Sequence, residues 1–233
     1  MSLPGDPRER ALAPGDFVFQ NETEKRIEIY PGDGPLTDGK IPDYANAIGM
    51  VVTVAPGRMT DDKLNDAGWN HAYVMGLKNT NIYAHWGEYM DETAIPNTPL
   101  EQVENNMNGY TETEAMLDAH KGDLNLYGAF DAISKYRIAF PVPQGLSRSP
   151  WFVPSAGQWF DVMANICGRS PKTFRDPNPE TPNWWIDNSY GPEMRNAINS
   201  QSNKVVNKPV VNDIIWFYCS SENNFYLFKL FAC

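Results

Sequence analysis

The chain has 233 residues, of which 42% are hydrophobic, 12% are aromatic and 21% are charged. A protein of this size buries about 70% of its unfolded surface, which is enough for a core and excludes a disordered chain. The formal net charge of −10 argues against nucleic acids and anionic membranes as partners, because both select basic surfaces. No apolar run approaches the roughly 18 residues that a membrane span requires.

The first half of the sequence predicts mainly strands. Residues 1–15 are polar and carry three prolines, which indicates a flexible lead-in, and residues 16–233 are predicted to form a single domain. Alternating or β-rich runs predict strands at residues 16–20, 26–30, 47–55 and 82–86. Residues 69–78 fit either a strand or a short helix, and within them residues 73–77 are apolar on both faces, which predicts burial.

Helical patterns dominate the middle of the chain. Thr111 and Glu114 resemble a capping box that opens a first helix, and the apolar spacing of residues 129–136 predicts a second. Ser155 is predicted to cap a third helix, whose apolar residues repeat with helical spacing before Gly168: Trp159, Val162, Met163 and Ile166. A fourth helix at residues 193–202 and a strand pair at 214–218 and 225–231 complete an α+β pattern.

The motifs of common catalytic and metal sites are not found in this sequence. It contains no H-E-x-x-H, G-x-S-x-G, P-loop or dinucleotide-binding motif. Its histidines lack the spacing of zinc ligands: His71, His85 and His120. The adjacent acids Asp61 and Asp62 are expected to face solvent rather than to form a catalytic pair.

The cysteines do not form a recognisable motif either. Their odd number argues against a disulfide scaffold, and no C-x-x-C pair occurs among Cys167, Cys219 and Cys233. We expect buried, reduced thiols, with one disulfide as the alternative in an oxidising compartment.

Residues 174–190 form a long segment without hydrophobic periodicity that carries the candidate binding site. The two adjacent tryptophans offer aromatic faces that stack on sugar rings, and the nearby polar side chains offer hydrogen bonds to hydroxyl groups. The candidate ligand-binding residues are Asp176, Asn178, Trp184, Trp185, Asp187 and Asn188. Several of their oxygens, with those of Glu180, also suit calcium, but the spacing is not that of an EF-hand. The alternative is structural: one tryptophan anchors the loop to the core and the polar groups face water.

Four stretches, in this order along the chain, resemble motifs of bacterial surface domains. Residues 69–78 (WNHAYVMGLK) are similar to H-G-Y-V-x-A-L-K, and residues 107–113 (MNGYTET) to D-G-x-x-N-T. Residues 151–159 (WFVPSAGQW) resemble the signature W-x-L-P-[ST]-x-x-[EQ]-W, and residues 216–222 (WFYCSSE) resemble Y-W-S-S-[ST]-E. These motifs mark secreted domains of Bacteroidetes and Fibrobacter, of the Fibrobacter major paralogous and fimbrillin-associated types. A related signature marks the formylglycine-generating enzyme family.

The resemblance implies a C-type-lectin-like fold with mixed small sheets, two to four helices and long loops. It also implies a cell-surface or fimbria-associated protein, in many cases a lipoprotein, that functions in binding or adhesion rather than as an enzyme. The implied ligand is a carbohydrate or a host-surface protein, with other fimbrial subunits as further partners. No cofactor is expected, with calcium at residues 174–190 as the alternative.

Two alternative functions stay open at this point. One is an oxidoreductase of the formylglycine-generating type, although the active-site cysteine motif of that family is not matched. The other is a structural pilus subunit without a ligand of its own.

The sequence also departs from the pattern of the surface domains, because their closing motif V-R-x-[IV]-x-x-F is not matched. Residues 1–6 lack the apolar stretch of a signal peptide, so a surface location implies a signal segment outside this chain.

Overall fold

The structure, a computed structural model, describes residues 11–33, 47–77, 86–87, 93–170, 190–202 and 204. Its strands are β1 (Phe17–Asn21), β2 (Arg26–Tyr30), β3 (Ala47–Thr53) and β4 (Tyr73–Gly76). Its α-helices are α1 (Asp62–Asp66), α2 (Gly109–Ala119), α3 (Gly128–Ala139), α4 (Ala156–Asn165) and α5 (Tyr190–Ser202). Short 3₁₀ helices lie at Pro56–Arg58, Leu100–Asn105 and Leu124–Leu126. The predicted α+β class is confirmed.

The four strands form one antiparallel sheet in the order β2-β1-β3-β4. The hairpin β1–β2 pairs in continuous register from Phe17 opposite Tyr30 to Asn21 opposite Arg26, and its turn places Lys25 at φ 54°. The register shifts once in each of the other two pairings. Such irregularities bend a strand and increase its twist.

The largest core cluster lies between the sheet and α4. Strand residues Phe17, Met50 and Met75 contact Trp159 and Met163 of α4 within one buried cluster. Ile198 of α5 belongs to the same cluster. A second cluster joins α2 and α3 to the extended segment before α4, with Met116, Phe130, Ile133 and Val153 buried in it. The segment at residues 151–153 therefore bridges the sheet side and the helical side of the fold.

Most of the predicted elements that fall within the described residues are confirmed. Strand β2 has the predicted bounds, β1 and β3 agree with the prediction to within two residues at either end, and residues 73–76 form a strand rather than a helix. Helices α3, α4 and α5 occupy the predicted regions, α5 beginning three residues early. In β4, however, only alternate residues are fully buried, so the strand is not buried on both faces as predicted. The predicted strands at 214–218 and 225–231, and all but the last residue of the one at 82–86, lie outside the described residues.

The predicted capping box at the start of α2 is wrong. The helix begins at Gly109, with Asn108 as its N-cap, so Thr111 lies inside the first turn. The Thr111 hydroxyl donates to Asp61 Oδ1 at 2.7 Å instead. The Thr113 hydroxyl donates to the Gly109 carbonyl at 2.7 Å. A contact with distant Asp61 and a bond within the helix, rather than capping, therefore explain the hydroxyl groups of Thr111 and Thr113.

The expectation that Asp61 and Asp62 both face solvent is also wrong. Asp61 has no exposed surface, and its carboxylate accepts a hydrogen bond from the Leu64 amide at 3.3 Å. Asp61 is thus the N-cap of α1, a five-residue helix that the hydrophobic pattern does not predict.

With α1, the described residues contain five α-helices, more than the two to four implied by the resemblance. No helix of the described ranges has the length and apolar character that a membrane crossing needs.

Candidate functional site

The predicted ligand-binding residues all fall in one segment, and that segment lies outside the described residues. Asp176, Asn178, Trp184, Trp185, Asp187 and Asn188 belong to residues 171–189. The structure does describe both flanks of the segment, the end of α4 on one side and α5 on the other. The contacts of these two flanks are described next.

The two flanks are in contact with each other. The guanidinium of Arg169 forms an ion pair with the carboxylate of Glu193, in the first turn of α5. Just before it, Gly168 adopts φ 65°, the left-handed conformation that glycine tolerates best. The Arg169 amide donates to the Met163 carbonyl at 2.9 Å, which fixes the backbone as it leaves α4. Residues 169 and 193 are thus adjacent in space although 24 positions apart.

Both flanking helices are anchored in the same part of the molecule. Trp159 of α4 and Ile198 of α5, 1% and 4% exposed, belong to one buried cluster. The Gln201 side chain donates through Nε2 to the carbonyls of Gly15 and Gly32, each at 2.9 Å. These contacts tie α5 to the backbone on either side of the β1–β2 hairpin. Helices α4 and α5 therefore share one core, and α5 is in addition bonded to the backbone around the hairpin.

A buried polar junction joins three of the four stretches that carry the family resemblance. The Asn106 carbonyl accepts from the Ser155 hydroxyl at 2.6 Å and from the Gly157 amide at 3.0 Å. The Met107 carbonyl accepts from Gln158 Nε2 at 3.1 Å and from the Tyr73 hydroxyl at 3.4 Å. Side chains from residues 69–78 and 151–159 thus meet on the backbone of residues 106–107.

The predicted cap of α4 by Ser155 is confirmed, and Gln158 completes a capping box with it. The Ser155 side chain accepts from the N3 amide, and Gln158 Oε1 accepts from the Ser155 amide at 2.9 Å. Gly157 is required at this point because a Cβ atom on it would lie 2.3 Å from the Asn106 carbonyl oxygen. The small and polar residues of the stretch 151–159 therefore allow α4 to approach residues 106–107 closely.

Asp61 forms a second part of the junction. Its carboxylate accepts from the Thr111 amide at 2.9 Å and from the Thr111 hydroxyl at 2.7 Å. Burial, followed by the nearby negative charge of Asp61, raises the pKa of Tyr73 to about 12. Tyr73 therefore stays protonated at neutral pH and acts as a hydrogen-bond donor.

Arg58 connects α4 to the 3₁₀ helix Leu100–Asn105. Its Nε donates to both carboxylate oxygens of Asp161, at 3.0 and 3.2 Å. Its Nη2 donates to the carbonyls of Glu104 and Gly157, each at 2.9 Å. The sequence alone does not indicate the contact between Arg58 and Asp161, since the two residues are 103 positions apart and neither belongs to a local motif. Arg58 therefore holds these two elements together through charge-assisted hydrogen bonds.

The side chains of the junction bond mainly to one another and to the backbone. Its polar side chains are buried or half-buried, and their hydrogen bonds go to other protein groups. The described ranges contain no group of three or more histidine, cysteine or acidic residues arranged to hold a metal ion. His71 is exposed, and His120 stacks on Tyr127 with ring centroids 3.7 Å apart.

Cys167 lies half-buried just beyond the end of α4. Burial raises the pKa of its thiol to about 12, so the thiolate is scarce at neutral pH. A reactive cysteine needs the opposite environment, one that stabilises the thiolate. Cys219 and Cys233 lie outside the described residues.

No family model matches the chain, and no curated protein or solved structure shows significant similarity to it.

Proposed function

We propose that this protein is a binding or adhesion domain of a bacterial cell-surface or fimbria-associated protein, with a C-type-lectin-like fold. Its ligand is a carbohydrate or a host-surface protein, and its binding site is the segment 171–189. The contact residues are Trp184, Trp185, Asp187, Asn188, Asp176 and Asn178, which combine aromatic faces with hydrogen-bonding groups. Calcium bound by the carboxylates and amides of this segment is part of the hypothesis.

The observation that carries the proposal is the contact between Arg169 and Glu193. It places Arg169, which follows α4, beside Glu193 of α5, and these two helices, which flank the 19-residue segment in the sequence, share one core. Binding residues are often found on loops that a rigid scaffold holds in position. An aromatic-rich loop on such a scaffold has the composition expected of a binding site, where apolar surface is combined with a few polar groups.

The polar junction supports the family resemblance on which the fold proposal rests. Residues 69–78, 107–113 and 151–159 are far apart in sequence, and side chains or backbone groups of each take part in one network. Motifs that belong to one ancestral fold are expected to meet in space in this way. The fold resemblance alone does not identify a ligand, so the ligand needs its own test.

The environment of Cys167 does not suit it to the enzymatic alternative. A formylglycine-generating-type reaction needs reactive thiols, and burial raises the pKa of this thiol to about 12, which favours its protonated form. The pilus-subunit alternative predicts no ligand at all, so a binding assay separates it from the proposed function.

The direct test is a titration of the whole chain with a panel of glycans, with and without calcium, followed by tryptophan fluorescence. At least one glycan should change the fluorescence, because a sugar that stacks on an indole ring alters its environment. Trp184→Ala and Trp185→Ala should each abolish that response while the circular dichroism spectrum stays that of the wild type.

Trp69→Phe is the matched control for this titration. Trp69 is a half-exposed tryptophan outside the segment, packed edge-to-face on Tyr110 with centroids 6.1 Å apart. The variant should keep the glycan response. If no glycan binds at millimolar concentration, the carbohydrate hypothesis fails. If both alanine substitutions unfold the protein, the two tryptophans are structural.

A further inference from the structure

We draw no further inference here: the strongest candidate, the row of half-exposed rings Trp69, Tyr110 and Phe152 beside the Glu114–Arg137 ion pair, is an apolar face for which nothing in the described part of the chain shows what covers it.

Discussion

At the scale of single residues, Trp159 is the largest almost completely buried side chain among the described residues, with 1% of its surface exposed. It lies between the sheet and α4, where it contacts residues of several elements in the main core cluster. Its helical spacing with Val162 and Met163 predicts this inward position, and the structure confirms it.

Replacing Trp159 by alanine should lower the free energy of unfolding by roughly 3–5 kcal/mol, because the lost apolar contacts leave a cavity that the core cannot fully close. Urea denaturation followed by circular dichroism measures this change. Ile138→Ala is the control, since Ile138 is 79% exposed on α3 and its truncation should change stability little. A Trp159→Ala protein as stable as the wild type would contradict the placement of this side chain.

Tyr73 gives a pH-dependent prediction at the same scale. The folded protein holds its pKa at about 12, against 10.0 for the ordinary phenol. Above pH 10 the unfolded chain loses this proton while the folded chain keeps it, so stability falls as the pH rises towards 12. By pH 11, this difference in pKa should have lowered the free energy of unfolding by about 1 kcal/mol.

This pH dependence can be tested by chemical denaturation, which measures the free energy of unfolding of the wild type and of Tyr73→Phe at pH 9 and pH 11. The variant should be less stable at pH 9, since it lacks the hydrogen bond to the Met107 carbonyl. Its stability should nevertheless fall less between the two pH values than that of the wild type. Equal decreases in both proteins would show that Tyr73 ionises normally in the folded state.

At the scale of elements, the attachment of α4 depends on side chains that bind backbone carbonyls of other segments. The capping box bonds to the amides at the start of the helix. Arg58 binds two residues of the helix, the carbonyl of Gly157 and the carboxylate of Asp161. The Arg58 and Asp161 side chains are 25% and 11% exposed, so solvent screens their interaction only in part.

A double-mutant cycle with Arg58→Ala and Asp161→Ala should therefore give a coupling energy of about 1–3 kcal/mol. Each single substitution should be strongly destabilising, because it leaves a largely buried charge without its partner. The control pair is Asp131 and Lys135 on α3, an i,i+4 pair whose lysine is 73% exposed. Its coupling should be about 0.3–0.5 kcal/mol. Similar coupling in both pairs would show that the Arg58 contact is no stronger than an ordinary surface ion pair.

At the scale of the whole molecule, the two larger core clusters of the described residues meet along the segment before α4. Trp151 and Val153 belong to the cluster around α2 and α3, whereas Ala156 and Trp159 belong to the cluster beneath the sheet. One continuous stretch of chain thus contributes to both cores. This arrangement links the two sides of the protein and gives the flanks of residues 171–189 a common support.

The proposed location of the whole protein can be tested in its native host. If the protein is displayed on the cell surface, proteinase K added to intact cells should degrade it while a cytoplasmic marker survives. Lysed cells, in which the protease reaches both proteins, provide the control. Protection of the protein in intact cells, together with its recovery in the cytoplasmic fraction, would contradict the surface assignment.

The sequence by itself determined the elements whose signals are local. The apolar spacing of α4, its Ser155 and Gln158 cap and the alternation of β2 each depend on residues a few positions apart, so they could be predicted without a fold. The candidate binding residues could likewise be chosen from residue types alone, and they remain a prediction because they lie outside the described residues.

Only the tertiary structure decided the roles of Asp61, Arg58 and Arg169. Their partners Thr111, Asp161 and Glu193 are 50, 103 and 24 positions away, and no periodicity connects such pairs. Asp61 is the clearest case: two adjacent acids in a sequence suggest a solvated turn, yet the fold supplies donors that stabilise one of them in the interior. A polar residue can be buried when the folded chain brings it hydrogen-bond partners, and the identity of those partners depends on how distant segments pack.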